Sequence, residues 1–202
     1  MSLFRKIFGS KSNKEESELK KEQQGKYMPE IKLPIDERFT TNFKSNGGKF
    51  LYCENFNEIL NCLQLIIEEN SWQDASVLLL DNSLEEKFNS SNLNPSKDLN
   101  TTDYFLTTCE GLIADNGSLL ISSNQIAEKK LDSLPKHFIV FATTSQIIEN
   151  IGEGLRIIKN KNKQKIPSNI TTIKHFKSSD EKDFLTYGSS SKNLYLLLLE
   201  DL

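Results

Sequence analysis

A segment with helical period runs straight into a strand that has no polar face. "NFNEILNCLQLIIEEN" places Phe56, Ile59, Leu60, Leu63, Ile66 and Ile67 at i, i+3, i+4, i+7, i+10 and i+11, which is one side of an α-helix. Asn55 stands at its start with Glu58 three residues on, the pattern of a capped beginning. "SVLLLD" follows as a short, continuously apolar run. A strand of that kind is buried on both faces, as parallel strands are. Ahead of this pair, "PIDERFTTNFKSNGG" carries Ile35, Phe39 and Phe43 four apart, and "KFLYC" reads as a strand. Helix, strand, helix, strand is the order of an α/β domain with parallel pairs and right-handed crossovers.

The second half supplies further strands at "YFLTTC", "GLIAD", "SLLIS", "HFIVFAT", "NITTIKHF" and "LYLLLLE". A helix is predicted from Thr144 to Lys159, on Ile147, Ile148, Ile151, Leu155 and Ile158, with Gly152 and Gly154 as its weak points. "NSSNLNPSKDLNT" and "KNKNKQK" read as solvated loops. Residues 1–30 are mostly polar and are expected to form a disordered or partly helical arm; residues 31–202 are expected to form the α/β domain. Leu3, Phe4, Ile7 and Phe8 have helical spacing. Two readings stand for residues 2–8: contact with a membrane surface or partner, or a frayed terminus, which the length of one or two turns favours.

Charge and cysteine usage exclude several classes. The formal charge is −3, from 25 basic and 28 acidic side chains, so the chain lacks the basic surface of a general nucleic-acid binder. No apolar run reaches the roughly 18 residues of a membrane span, and no secretory h-region is visible. Cys53, Cys62 and Cys109 are too widely spaced for a zinc or redox pair. A metal site is not expected, and a reducing cytoplasm is the natural compartment.

The chemistry-bearing stretch is "EGLIADNGSLLIS", Glu110 to Ser122. Asn-Gly between two apolar runs predicts an antiparallel hairpin with a type I′ turn. Asn116 and Gly117 would form its tip, with Asp115 facing Ser118 across the closing pair. The structural explanation is complete in itself, because Asp and Ser bond to backbone beside turns. Near the end, "KSSDEKDFL" reads as a helix start: Ser178 or Ser179 caps it, and Asp180 and Glu181 favour the positive end. Such a terminus can hold a phosphate or carboxylate, with Lys177 as a point charge. An ordinary capped helix is the competing reading. His137 opens an apolar strand and reads as a structural histidine; His175 lies beside the candidate anion site.

Two segments, "TTCEGLIADNGSLLISSN" and "LPKHFIVFAT", together resemble the lactate-utilisation (LUD) domain family. Gly111, Ile113, Ala114, Gly117 and Leu119 match its first motif, with Asp115, Asn116 and Ser118 standing for Glu, Thr and Thr. Pro135, His137 and Ile139 match its second. Counting back from Gly188, Lys177, Ser178 and Asp180 fall on its third, whose final His-Gly-Pro is replaced by Ser190, Ser191 and Lys192. The resemblance implies a Rossmann-like, mostly parallel sheet with flanking helices and one antiparallel hairpin, similar to the sugar-phosphate isomerase and CoA-transferase superfamily. In related CoA transferases a Glu-Asn-Gly turn bears the nucleophile; "DNG" offers an acid one methylene shorter, a displacement that weighs against acyl transfer.

What the resemblance implies for function is an accessory component of lactate or related organic-acid utilisation. An iron–sulfur or oxidoreductase partner would carry the redox centre, since this chain has no cysteine set for a cluster. An organic-acid or phosphate-bearing ligand would lie between Asp115, Asn116, Gly117 and Ser118 on one side and Lys177, Ser178, Ser179, Asp180 and Gly188 on the other. The alternative is a catalytically degenerate CoA-transferase or isomerase-like domain used as a binding or scaffold protein.

Overall fold

The computed structural model describes residues 33–176 and 192–201. The N-terminal arm, the segment from Lys177 to Ser191 and the last residue lie outside the described residues. Helix α1 (Ile35–Ser45) leads into strand β1 (Lys49–Cys53), helix α2 (Phe56–Glu69) and strand β2 (Ser76–Leu78). Helix α3 (Asn82–Lys87), strand β3 (Asn94–Ser96), strand β4 (Tyr104–Thr107) and the hairpin β5 (Gly111–Ile113) and β6 (Ser118–Ile121) follow. Then come the single turn α4 (Ser123–Ile126), β7 (His137–Thr143), β8 (Ile147–Ile148), α5 (Ile151–Lys161), β9 (Thr171–Ile173) and β10 (Asn193–Leu199).

Six strands form one sheet in the order β1-β10-β7-β4-β2-β3, parallel at every pairing. The expected mostly parallel α/β architecture is therefore present. Along β7 and β10, alternate side chains divide between the two faces of the sheet. Ile139, Phe141, Tyr195 and Leu197 join Ile59, Leu63 and Ile66 of α2 in one core. Phe138, Val140, Leu194, Leu196 and Leu198 are equally buried on the opposite face. Each such side chain contributes on the order of 1.5–3 kcal/mol by leaving water. Helix α2 forms as its sequence dictates, with Asn55 Oδ1 accepting from the Glu58 N–H at 3.0 Å and Glu58 accepting from the Glu54 N–H at 2.8 Å.

A second, four-stranded sheet runs β8-β5-β6-β9. Its strands are parallel at β5–β8 and antiparallel at the other two pairings. Helix α5 covers it through a small core of Ile113, Leu120, Ile148 and Ile158. Gly154 packs close to this core: a Cβ would come within 2.6 Å of Leu120 Cδ2 and 2.8 Å of Ile148 Cδ1, so those side chains would have to shift.

Two expectations from sequence need correction here. The helix predicted from Thr144 begins at Ile151. Thr144–Gln146 instead form a 3₁₀ turn, closed by a reciprocal cap between Thr143 and Gln146, and Ile147–Ile148 form β8. Asn150 sets the true start by accepting from the Glu153 N–H at 3.0 Å. The second correction concerns "NSSNLNPSKDLNT", which contributes the strand β3 rather than only loop. Pro95 is tolerated because β3 lies at the sheet edge.

Candidate functional site

The hairpin at Asp115–Ser118 exists, but its turn differs from the expected one. Ile113, not Asp115, pairs with Ser118, so the loop has four residues, Ala114 to Gly117. The Gly117 N–H closes it on the Ile113 carbonyl at 2.9 Å. Only Gly117 takes a left-handed backbone there, at φ +65°, so the turn is not type I′. Tertiary bonds decide the outcome: the N–H groups of Ala114 and Asp115 donate to the carbonyls of Ile148 (2.9 Å) and Glu149 (3.1 Å). The loop extends the pairing with β8 instead of closing early on Ser118.

Helix α1 grips this turn from the other side. Arg38, Asn42 and Asn46 are four residues apart and share one face of the helix. Arg38 pairs with Asp115 at 2.9 Å and with Glu149. The Asn42 amide donates to the Ala114 carbonyl at 2.8 Å, and Asn46 to the Asn116 carbonyl at 2.7 Å. Asn116 turns its own side chain inward and accepts from the N–H (3.1 Å) and hydroxyl (2.6 Å) of the fully buried Ser118. Gly117 lies under the helix backbone: a Cβ would meet Asn42 C and Phe43 N at 2.3 Å. No side chain other than hydrogen fits at that position. Sequence reasoning missed Arg38, Asn42 and Asn46. Their signal was a second, polar period of four running beside Phe39 and Phe43.

Chemically, this geometry occupies the turn's polar groups. Asp115 is half-exposed and ion-paired with Arg38, which is only 15% exposed and is shared with Glu149. The Arg38 Nε is enclosed without a hydrogen-bond partner, so the guanidinium is held mainly from its outer fork.

The neighbouring carboxylates are similarly engaged. Glu110 accepts from Ser122 Oγ at 2.6 Å and from the Asn124 amide at 2.9 Å. Asp201, just past the carboxyl end of β10, accepts from Thr144 Oγ1 (2.9 Å) and from Ser145 N (2.8 Å) and Oγ (2.7 Å). Burial alone would raise the Asp201 carboxyl, but the bonds from Ser145, Thr143 and Thr144 outweigh it and bring the group down to about 2. His137 stands at the amino end of β7, where its Nδ1 lies 3.1 Å from the Asn193 amide. Burial, and then the charges of Lys49 and Lys136, hold its pKa below the ordinary value, which fits the structural role read from sequence.

The structure thus brings Asp115, Asn116, Gly117 and Ser118 together in one clamped turn. Lys177, Ser178, Ser179, Asp180 and Gly188 lie outside the described residues. Among the described residues no helix is long and apolar enough to cross a membrane.

A family model described as the LUD domain matches residues 37–199. Among solved structures, a DUF162 family protein from Deinococcus radiodurans superposes with a TM-score of 0.57 at 12% identity, covering 83% of this chain and 96% of that one. No curated protein matches. The structural likeness, at that identity, speaks for the fold. The family match, which takes in every strand and helix described above save the first residues of α1, carries the assignment: this chain belongs to the LUD domain family.

Proposed function

We propose that this chain is an accessory component of lactate or related organic-acid utilisation, acting beside an oxidoreductase partner that carries the iron–sulfur chemistry. The observation that carries the reading is the ion pair of Asp115 with Arg38, at the position where related CoA transferases place their nucleophile. It favours a binding or supporting role over acyl transfer by this turn. The family's name supplies the metabolic setting, and the cysteine usage of the chain supports a redox centre held elsewhere. A ligand of organic-acid or phosphate chemistry, held near residues 115–118 by Lys177, Ser178, Ser179, Asp180 and Gly188, belongs to the same proposal.

Deletion of the gene tests it directly. The expected result is impaired growth on lactate or a related acid, with the tagged full-length protein retaining a flavin- or iron-bearing partner. Normal consumption of such acids by the deletion strain would overturn the metabolic role. For the ligand, lactate, inorganic phosphate and an acyl-CoA are compared by thermal shift. Stabilisation that Lys177→Ala removes supports the anion site, and no stabilisation by any of the three counts against it.

A further inference from the structure

A second feature lies at the amino end of the six-stranded sheet. Trp72 and Ala75 precede β2, and Tyr104 opens β4. Between them, α2 and the 3₁₀ turn Asn89–Ser91 lies a pocket of about 200 Å³. Its floor is apolar, made by Ile67 and Tyr104, which are 6% and 1% exposed. Trp72 supplies an aromatic wall and stacks on Tyr104 with centroids 4.6 Å apart and planes within 7°. The rim is built from the side-chain amides of Gln64, Gln73, Asn92 and Asn94. Ser91 completes the wall, with its hydroxyl oxygen enclosed and without a hydrogen-bond partner.

We propose that this pocket binds an uncharged planar ring with a hydrogen-bonding edge, of the nucleobase or nucleoside class. Three observations select that chemistry. No charged side chain lines the pocket, which removes the counter-charge that a phosphate or carboxylate would need. The apolar floor and stacked aromatic wall suit a flat ring, and a cavity of about 150 Å³ already accepts benzene. Each amide carries one acceptor and paired donors; Gln64 and Asn94 give one N–H to Glu68 (3.1 Å) and Ser76 (3.2 Å), which leaves their oxygens and the amides of Gln73 and Asn92 to match an edge that alternates the two.

Asn92 adds a further point. It holds a left-handed backbone at φ +49°, and among the described residues its side chain makes no hydrogen bond that would fix it elsewhere. The enclosed Ser91 hydroxyl is costly as it stands. This site is separate from the Asp115 turn and does not depend on the role proposed above.

The chain contains one tryptophan, so indole fluorescence reports on this pocket alone. Adenosine, uridine, glucose and inorganic phosphate are titrated into the full-length protein. The expected result is a saturable change with at least one nucleoside, accompanied by a rise in melting temperature, and none with glucose or phosphate. Asn92→Gly keeps the backbone conformation while removing the amide, and Gln64→Ala alters an exposed position; each should weaken binding roughly tenfold, the worth of one hydrogen-bonded contact. A linear, non-saturating quench, an equal response to glucose, or saturation unchanged in both variants would overturn the proposal.

Discussion

At the scale of single residues, the turn at Asp115–Ser118 is explained by what each side chain touches. Arg38 is the deeper partner of its ion pair, and it faces two carboxylates. Removing it takes the shared guanidinium from both Asp115 and Glu149, whereas removing Asp115 leaves Arg38 still paired with Glu149. Arg38→Met is therefore expected to lower stability by about 1–3 kcal/mol, and Asp115→Asn by no more than about 1 kcal/mol; urea unfolding of the two variants checks the order. The thiols differ in the same local way. Cys53 and Cys109 are buried and Cys62 is half-buried. Burial pushes Cys109 up to about 12 and raises Cys53 as well. Maleimide labelling of the native protein, followed by peptide mass mapping, should modify Cys62 first.

At the scale of elements, the local rules succeed where one segment contains its own instructions. Helix α2 has its cap, its apolar face and its end within one stretch, and it forms as read. Helix α5 shows the limit. Ile147 and Ile148 continue the helical period, yet they pair with Leu112 and Ile113 as β8, because a neighbouring strand offers β-branched side chains a better partner than a helix would. Asn150 then starts the helix, so Asn150→Ala is expected to cost about 1 kcal/mol, measurable as a lower melting temperature. Little of the turn's setting was legible either. "DNG" announces a hairpin, but its length is fixed by bonds donated by Asn42 and Asn46 and accepted by the carbonyls of Ile148 and Glu149, which lie far away in the sequence. The motif residues themselves were readable, while the helix face that clamps them was visible only as a polar period with no evident partner.

At the scale of the whole molecule, the carboxyl end of the parallel sheet carries the hydroxyl cluster around Asp201, and the amino end carries Trp72 and Tyr104 beside the charges of Lys49 and Lys136. His137 belongs to the latter, with its ring edge-on to Trp72 at 5.1 Å. Its pKa in the fold lies below the ordinary 6.5, so the unfolded chain takes up the proton first. The stability it contributes is complete above about pH 6.5 and declines as the pH falls below that value. Melting temperatures measured through that range should fall toward acid, and His137→Phe should flatten the trend. The clamped turn is the joint between α1 and the second sheet, and Gly117 is its closest approach. Gly117→Ala adds a methyl group where both the left-handed φ and the helix backbone forbid it, at a cost of roughly 2 kcal/mol or more. Hydrogen exchange on that variant measures the joint directly: the amides of Ile35–Ser45 should exchange faster than in the wild type while β7 and β10 keep their protection. Unchanged exchange across α1 would contradict the assignment of this turn to the scaffold.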